Sequence, residues 1–383
     1  MTSKRENLRT QLLSAAAAKF GELNQETREQ LPYTTNSKLI VERKAGSTTI
    51  RLTKDLYLPD LIRWNEALWR EAGASVIDFD FSYTKFFTPL SLLFIPHQIR
   101  EFHRQYPEIR LHAIGYQHLS YPAHMGFFDC FGGAYGKTVG EAPGDRNYLP
   151  ISSINVSQFI KDNGTGNIQE AIDSETKRLA RVLVRANDGF AFDAVQYSLR
   201  EIIRNVFEHS GSRICMYCAQ YWPATKKVQL CIVDEGSGIH SSLTFNPKFK
   251  DFTERQAVQF SLFPGVSGNF REMRTGEVDS RWRNSGYGLY MTSRLCRNNG
   301  GFRIFSSGQV VQLIKGQKLT NAIRNFRGTM ITMDLLIGSQ FNFSKELENY
   351  ATEGKKIARD IQGANVIEAS AASQLLSRDF AKQ

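Results

Sequence analysis

Helical and alternating stretches of apolar residues succeed one another along this chain. Leu8, Leu12, Ala15, Ala16 and Phe20 recur at helical spacing and predict an N-terminal helix ending near Pro32. Residues 40–43 and 48–52 alternate about Gly46 and predict two strands. A helix over 61–72, a strand over 75–80, a helix over 90–106 and a strand over 109–114 follow with short links. That order is a βαβ unit with parallel pairing. Thr88 is placed as N-cap of the 90–106 helix, with Pro89 in its first turn. Gly132, Gly133, Gly136, Gly140, Pro143 and Gly144 mark a turn-rich stretch over 131–147. A strand over 148–156, a turn over 162–167 and a helix over 174–186 come next. Beyond the following helix, strands over 213–221 and 226–233 join through Pro223. A helix over 289–297, strands over 302–306 and 310–314, a loop and a strand over 328–336 precede a charged helical tail.

The helix around residue 200 organises the rest. It carries Val195, Leu199, Ile202, Ile203 and Val206 on one face and lifts Glu201, Asn205 and Glu208 on another, a turn apart. Asparagine in mid-helix competes for its own backbone, so a ligand explains Asn205 better than folding does. Three later segments add polar chemistry. Asp234-Glu235-Gly236-Ser237-Gly238-Ile239 closes an apolar strand, Asn284-Ser285-Gly286-Tyr287-Gly288-Leu289 opens a helix, and Gly328-Thr329 begins a strand. Taken singly each has an ordinary reading. Glu201 and Asn205 are a solvated helix face, the first glycine segment a hairpin or loop, the second a tight turn.

In this order and on these elements, the four segments resemble the GHKL ATP-binding family of gyrase-type topoisomerases, heat-shock chaperones and sensor histidine kinases, over about residues 173–337. The resemblance implies an α/β fold, a two-layer α/β sandwich (the Bergerat ATP-binding fold), with ATP and Mg²⁺ as ligands. Asp234 would accept a hydrogen bond from the adenine amino group, Gly236 and Gly238 would let the base approach closely, and Ile239 would be a further nucleotide-binding residue. Asn205 would offer Mg²⁺ a neutral oxygen. Glu201 would orient and deprotonate the attacking water. Gly286, Tyr287, Gly288 and Leu289 would bring backbone N–H groups and a helix N-terminus to the triphosphate, and Thr329 would stand near adenine. The interval from Gly238 to Gly286 would be a lid, with a helix over 256–262 and a flexible joint over 265–268. Arg271, Arg274, Arg281 or Arg283 would meet the γ-phosphate, although any one of them reads singly as a solvated loop residue.

Residues 47–133 resemble the STAS-like domains related to bacterial anti-sigma-factor antagonists. The features are Val76-Ile77-Asp78-Phe79, Phe87-Thr88-Pro89-Leu90 and His124-Met125-Gly126-Phe127-Phe128. The turn Thr88-Pro89-Leu90-Ser91 lacks the Asp and Gly of the antagonists' phosphorylated turn, which argues against phospho-switching here. The expected organisation is a helical segment (1–45), the STAS-like α/β domain (46–135), a linker (136–168), the ATP-binding domain (169–340) and a helical tail (341–383).

Length and composition, 383 residues with 41% hydrophobic and 22% charged, fit a globular chain with a sizeable core. A formal charge of +10 permits contact with nucleic acid, but no basic cluster is dense enough to call for it. Cys215 and Cys218 have zinc or redox spacing, yet on a strand they point to opposite faces, and no second pair completes a site. Reduced, buried thiols in a cytoplasmic protein are expected. No stretch approaches the roughly eighteen apolar residues of a membrane span, so no membrane is expected. His103 lies within the βαβ unit rather than on a helical hairpin, and only a short tail follows the last strand, which sets aside histidine-kinase and topoisomerase readings. Three readings remain. One is a slow ATPase acting as a nucleotide-controlled switch on the STAS-like domain, or on a protein partner or homodimer held through it. Another is a serine/threonine kinase acting on a separate STAS-type antagonist, since a hydroxyl can replace water in the same in-line attack. The third is a non-catalytic module that ATP only stabilises.

Overall fold

The computed structural model describes residues 39–268, 287–337 and 343–362, and the chain is mixed α/β with two sheets. β1 (Ile40–Lys44) and β2 (Ser47–Arg51) form the antiparallel pair expected around Gly46. α1 (Leu58–Leu68), β3 (Val76–Asp80), α2 (Pro89–Gln105) and β4 (Arg110–Ile114) follow. β3 pairs in parallel with both β2 and β4, giving a four-stranded sheet of order β1-β2-β3-β4. Thr88 caps α2 in a reciprocal box with Ser91, and Pro89 occupies the first turn, as its fixed φ allows.

After the short α3 (Ser120–His124) come β5 (Tyr148–Asn155), α4 (Val156–Val184), α5 (Phe190–Asn205), β6 (Ile214–Trp222) and β7 (Lys227–Asp234). Then follow α6 (Gly238–Thr244), α7 (Glu254–Phe260), α8 (Gly288–Asn298), β8 (Gly300–Ser306), β9 (Gln309–Ile314), β10 (Gln317–Ala322), β11 (Thr329–Leu336) and α9 (Phe343–Gln362). The second sheet is seven-stranded and antiparallel throughout, in the order β10-β9-β8-β11-β7-β6-β5.

Two elements differ from expectation. The span 136–168, expected as a linker with a strand from 148 and a turn over 162–167, contains that strand at the sheet edge, but a helix runs through Gly164 and Gly166 where the turn was expected. A mid-helix glycine costs about 1 kcal/mol against alanine. Here an Asn155 cap bonded to Gln158 N–H opposes that cost, as does the burial of Ile172, Leu179 and Leu183. β10 lies where a loop was expected. It lacks an apolar alternation and forms by hairpin pairing with β9 through Lys315-Gly316.

Alternation along the strands assigns the two faces of the large sheet. Val228, Leu230, Ile232 and Asp234 of β7 share a face with Thr329, Ile331, Met333 and Leu335 of β11, in register. α4, α5, α8 and α9 cover that face. Gln229, Cys231 and Val233 look the other way, onto α2. There the Leu90 N–H donates to Gln229 Oε1 at 3.2 Å, and Phe94 packs against Phe305 and Phe326. The helix of the first unit and the back of the second sheet therefore share one core, in which Thr88 and Ser91 are buried. Cys215 and Cys218 fall on opposite faces, and all five cysteines are buried free thiols. In the C-terminal tail, residues 343–362 form α9, which docks on α8, where Asn298 donates to the Tyr350 hydroxyl at 2.7 Å. Among the described residues no helix is long and apolar enough to cross a membrane. The expected N-terminal helix, Gly286 and the four lid arginines lie outside the described residues.

Candidate functional site

β7 ends at Asp234 and β11 begins at Thr329, and the antiparallel register sets the two residues opposite each other. Asp234 is only 4% exposed. Its Oδ1 accepts the Gly236 N–H at 2.8 Å, and its carboxylate takes a second backbone bond from Thr329. Burial outweighs both bonds and raises its pKa to about 7. The group therefore gains or loses a proton near neutrality.

A cavity opens beside this carboxyl, enclosing about 840 Å³ of empty space with its mouth included. Its walls are mostly apolar: Ile202, Val206, Ile232, Ile239, Leu243, Val266, Leu289 and Ile331. Asn205, Ser210, Asp234, Ser242, Ser261, Ser267 and Thr329 supply the polar groups. Apolar walls with a few fixed polar groups are the composition of small-molecule sites. Asn205 reaches the cavity from the last position of α5, where the helix widens into a π turn over Val206–Ser210. Such turns are rare and recur at functional sites. The Ser210 hydroxyl closes this one by donating to the Val206 carbonyl at 2.7 Å. The side chains of Glu208 and His209 lie outside the described part of the molecule.

Of the residues singled out in the sequence, Asn205, Asp234, Gly238, Ile239, Gly288, Leu289 and Thr329 line this one cavity. Glu201, Gly236 and Tyr287 do not. Glu201, 3% exposed, lies against Gly288, where an added Cβ would come within 2.5 Å of its Oε2. Its Oε1 is 3.4 Å from Arg204 Nη1 and 3.8 Å from Arg200 Nε. The carboxylate expected on the cavity wall is instead engaged by two arginines of its own helix. Gly236 is required by protein backbone rather than by a ligand, because an added Cβ would lie 2.1 Å from the Ser210 carbonyl oxygen. Tyr287 is buried against Tyr290 and Gly354. Of residues 265–268, expected as a flexible joint, Val266, Ser267 and Gly268 form part of the wall. Val266 is buried there, and Asn246 donates to the Ser267 carbonyl at 3.0 Å.

Sequence reasoning missed Ser210, Ser242 and Ser261, which carry no motif. Strand alternation was the signal available for Ile232 and Ile331, two positions from Asp234 and Thr329 on the same face. Among the described residues no group of three or more His, Cys, Asp or Glu side chains is placed to hold a metal ion. The half-buried Asn205 fits Mg²⁺ as one neutral ligand among phosphate oxygens and waters. In comparisons with known proteins, no family model, curated protein or solved structure matches the chain.

Proposed function

We propose that the chain binds ATP with Mg²⁺ in this cavity and hydrolyses it slowly, as a GHKL-type ATPase. Its nucleotide state would act on the N-terminal STAS-like unit or on a protein held through it. The observation that carries the reading is convergence. Asn205, Asp234, Gly238, Gly288 and Thr329, from five separate elements, meet at one apolar cavity with a buried carboxyl. A carboxyl poised at about 7 can surrender its proton to accept a hydrogen bond from an adenine amino group. Ile232, Ile331 and Leu243 suit the faces of a flat base. The first turn of α8 at Gly288 offers backbone N–H groups to phosphate. The five buried thiols suit a reducing compartment, and we place the protein in the cytoplasm on that ground.

In hydrolysis a water attacks the γ-phosphorus, the bond to the bridging oxygen breaks, and ADP leaves as the water gives up its proton. Glu201, one turn before Asn205, is the acceptor in this reading. Arg200 and Arg204 engage this carboxylate, Arg204 at 3.4 Å and Arg200 at 3.8 Å. The same engagement favours a second reading, in which ATP binds without turnover.

Titration calorimetry with ATP, with and without Mg²⁺, tests the binding step on the wild type and on Asp234→Ala. Magnesium-dependent uptake that disappears in the variant supports the proposal. Uptake absent from the wild type, or intact in the variant, overturns it. Phosphate release above that of Glu201→Ala separates turnover from binding alone.

A further inference from the structure

The residues next to the cavity floor are gripped from behind the sheet. Asp234 and Thr329 face the cavity, while helix α2 holds Glu235 and Arg327 on the other side. Arg100 donates to Glu235 Oε1 from Nε at 2.9 Å and from Nη2 at 2.6 Å, and its Nη1 donates to the Cys130 carbonyl at 2.8 Å. His97 Nε2 lies 2.9 Å from the Arg327 carbonyl oxygen, so this nitrogen carries the proton. Its Nδ1 accepts from Gln98 Nε2 at 3.1 Å, and its ring stacks on Phe326 with centroids 4.4 Å apart.

The chain of bonds continues into α1. Gln98 Oε1 accepts from Asn65 Nδ2 at 2.7 Å and from Trp69 Nε1 at 3.0 Å. Asn65 then accepts the Arg324 N–H at 2.9 Å and donates to the Arg324 carbonyl at 3.2 Å. The connection over 323–328, which delivers Thr329, is thus clamped at both ends by side chains of the first unit. Apolar residues would have sealed the same interface at less desolvation cost, so a fully bonded polar relay argues for specified geometry. Burial lowers the His97 pKa to about 4, which keeps the ring neutral at physiological pH.

We infer that His97 and Arg100 are positioning residues for the nucleotide site, through which the N-terminal unit sets the affinity of the cavity. The inference rests on the nucleotide reading above. His97 fixes the backbone entering Thr329, and Arg100 neutralises the carboxylate adjacent to Asp234. Thermodynamic reciprocity then requires bound nucleotide to tighten the docking of α2 by the same factor.

The test measures the Kd for ATP with Mg²⁺ on the full chain and on folded variants checked by circular dichroism. His97→Ala and Arg100→Met are expected to weaken binding about ten-fold, within the range of coupling between residues of one network. His97→Gln keeps an N–H for the Arg327 carbonyl, and Arg100→Lys keeps the charge, so each restores most of the affinity. Arg100→Met combined with Glu235→Met also restores it, because no unpaired carboxylate remains beside Asp234. In the wild type ATP slows amide exchange across α2; in His97→Ala it does not. Should His97→Ala fail to fold, the partly exposed Arg100 carries the test. Unchanged affinity in the folded variants overturns the inference, and so does a loss that the conservative variants fail to restore. Absence of binding in the unsubstituted protein defeats the nucleotide reading itself, and is recognised by where it occurs.

Discussion

Replacing Asp234 by asparagine separates what the fold favours from what a ligand needs. The folded chain holds this carboxyl at about 7 against an ordinary value of 3.8, with burial as the cause. A raised pKa means that the proton-linked stability is fully present below the unfolded value and is lost as pH rises through the folded one. At about 1.4 kcal/mol per pH unit, the gap amounts to about 4 kcal/mol above neutrality. Asparagine is neutral, nearly isosteric, and still able to accept the Gly236 and Thr329 N–H groups. The variant should therefore be more stable than the wild type by up to about 4 kcal/mol at about pH 8, and by roughly 2 kcal/mol at about pH 5.5. Urea unfolding followed by circular dichroism at the two pH values measures both differences. A variant no more stable at the higher pH, or a gap that does not narrow at the lower, refutes the argument from a buried carboxyl. The same substitution should weaken ATP binding at least about ten-fold, because either amide orientation sets an N–H against the adenine amino group or the backbone donors.

Wild-type affinity for ATP should fall about ten-fold per unit below pH 7 and level off above it, since the ligand takes the ionised carboxylate; calorimetry in buffers of different ionisation enthalpy should show the released proton. On the far face, burial alone would raise the pKa of Asp334, but Arg303 at 2.7 Å and Lys227 hold it low. Asp334→Ala leaves that arginine buried without its partner and should lower the urea-derived stability by about 3–5 kcal/mol. Gly288→Ala drives a Cβ toward Glu201 Oε2, and a thermal melt should register a loss of about 1–3 kcal/mol.

Asp234, Thr329, Asn205 and Gly238 were legible in the sequence because their chemistry sits at the ends of strongly patterned elements, where strand and helix periods decide which way a side chain points. Glu201 was not. A spacing of four puts it on the Asn205 face of a regular helix, but its carboxylate is placed by Arg204, by Arg200 and by the approach of Gly288 from a remote helix. The helix through Gly164 and Gly166 was hidden by two poor helix formers whose cost tertiary burial offsets. Helix α2 announced its burial through Leu90, Leu92, Leu93, Phe94 and Ile95, which wrap around it. What it would bury against was not readable, because Gln229, Cys231 and Val233 gain meaning only once the sheet has a back.

A crystal structure of the complex with Mg²⁺ and a non-hydrolysable ATP analogue bears on the central claim most directly. The account predicts the adenine amino group within hydrogen-bond distance of the Asp234 carboxylate and the metal on the Asn205 carboxamide oxygen. A nucleotide seated outside this cavity, or one whose base turns away from Asp234, would contradict it.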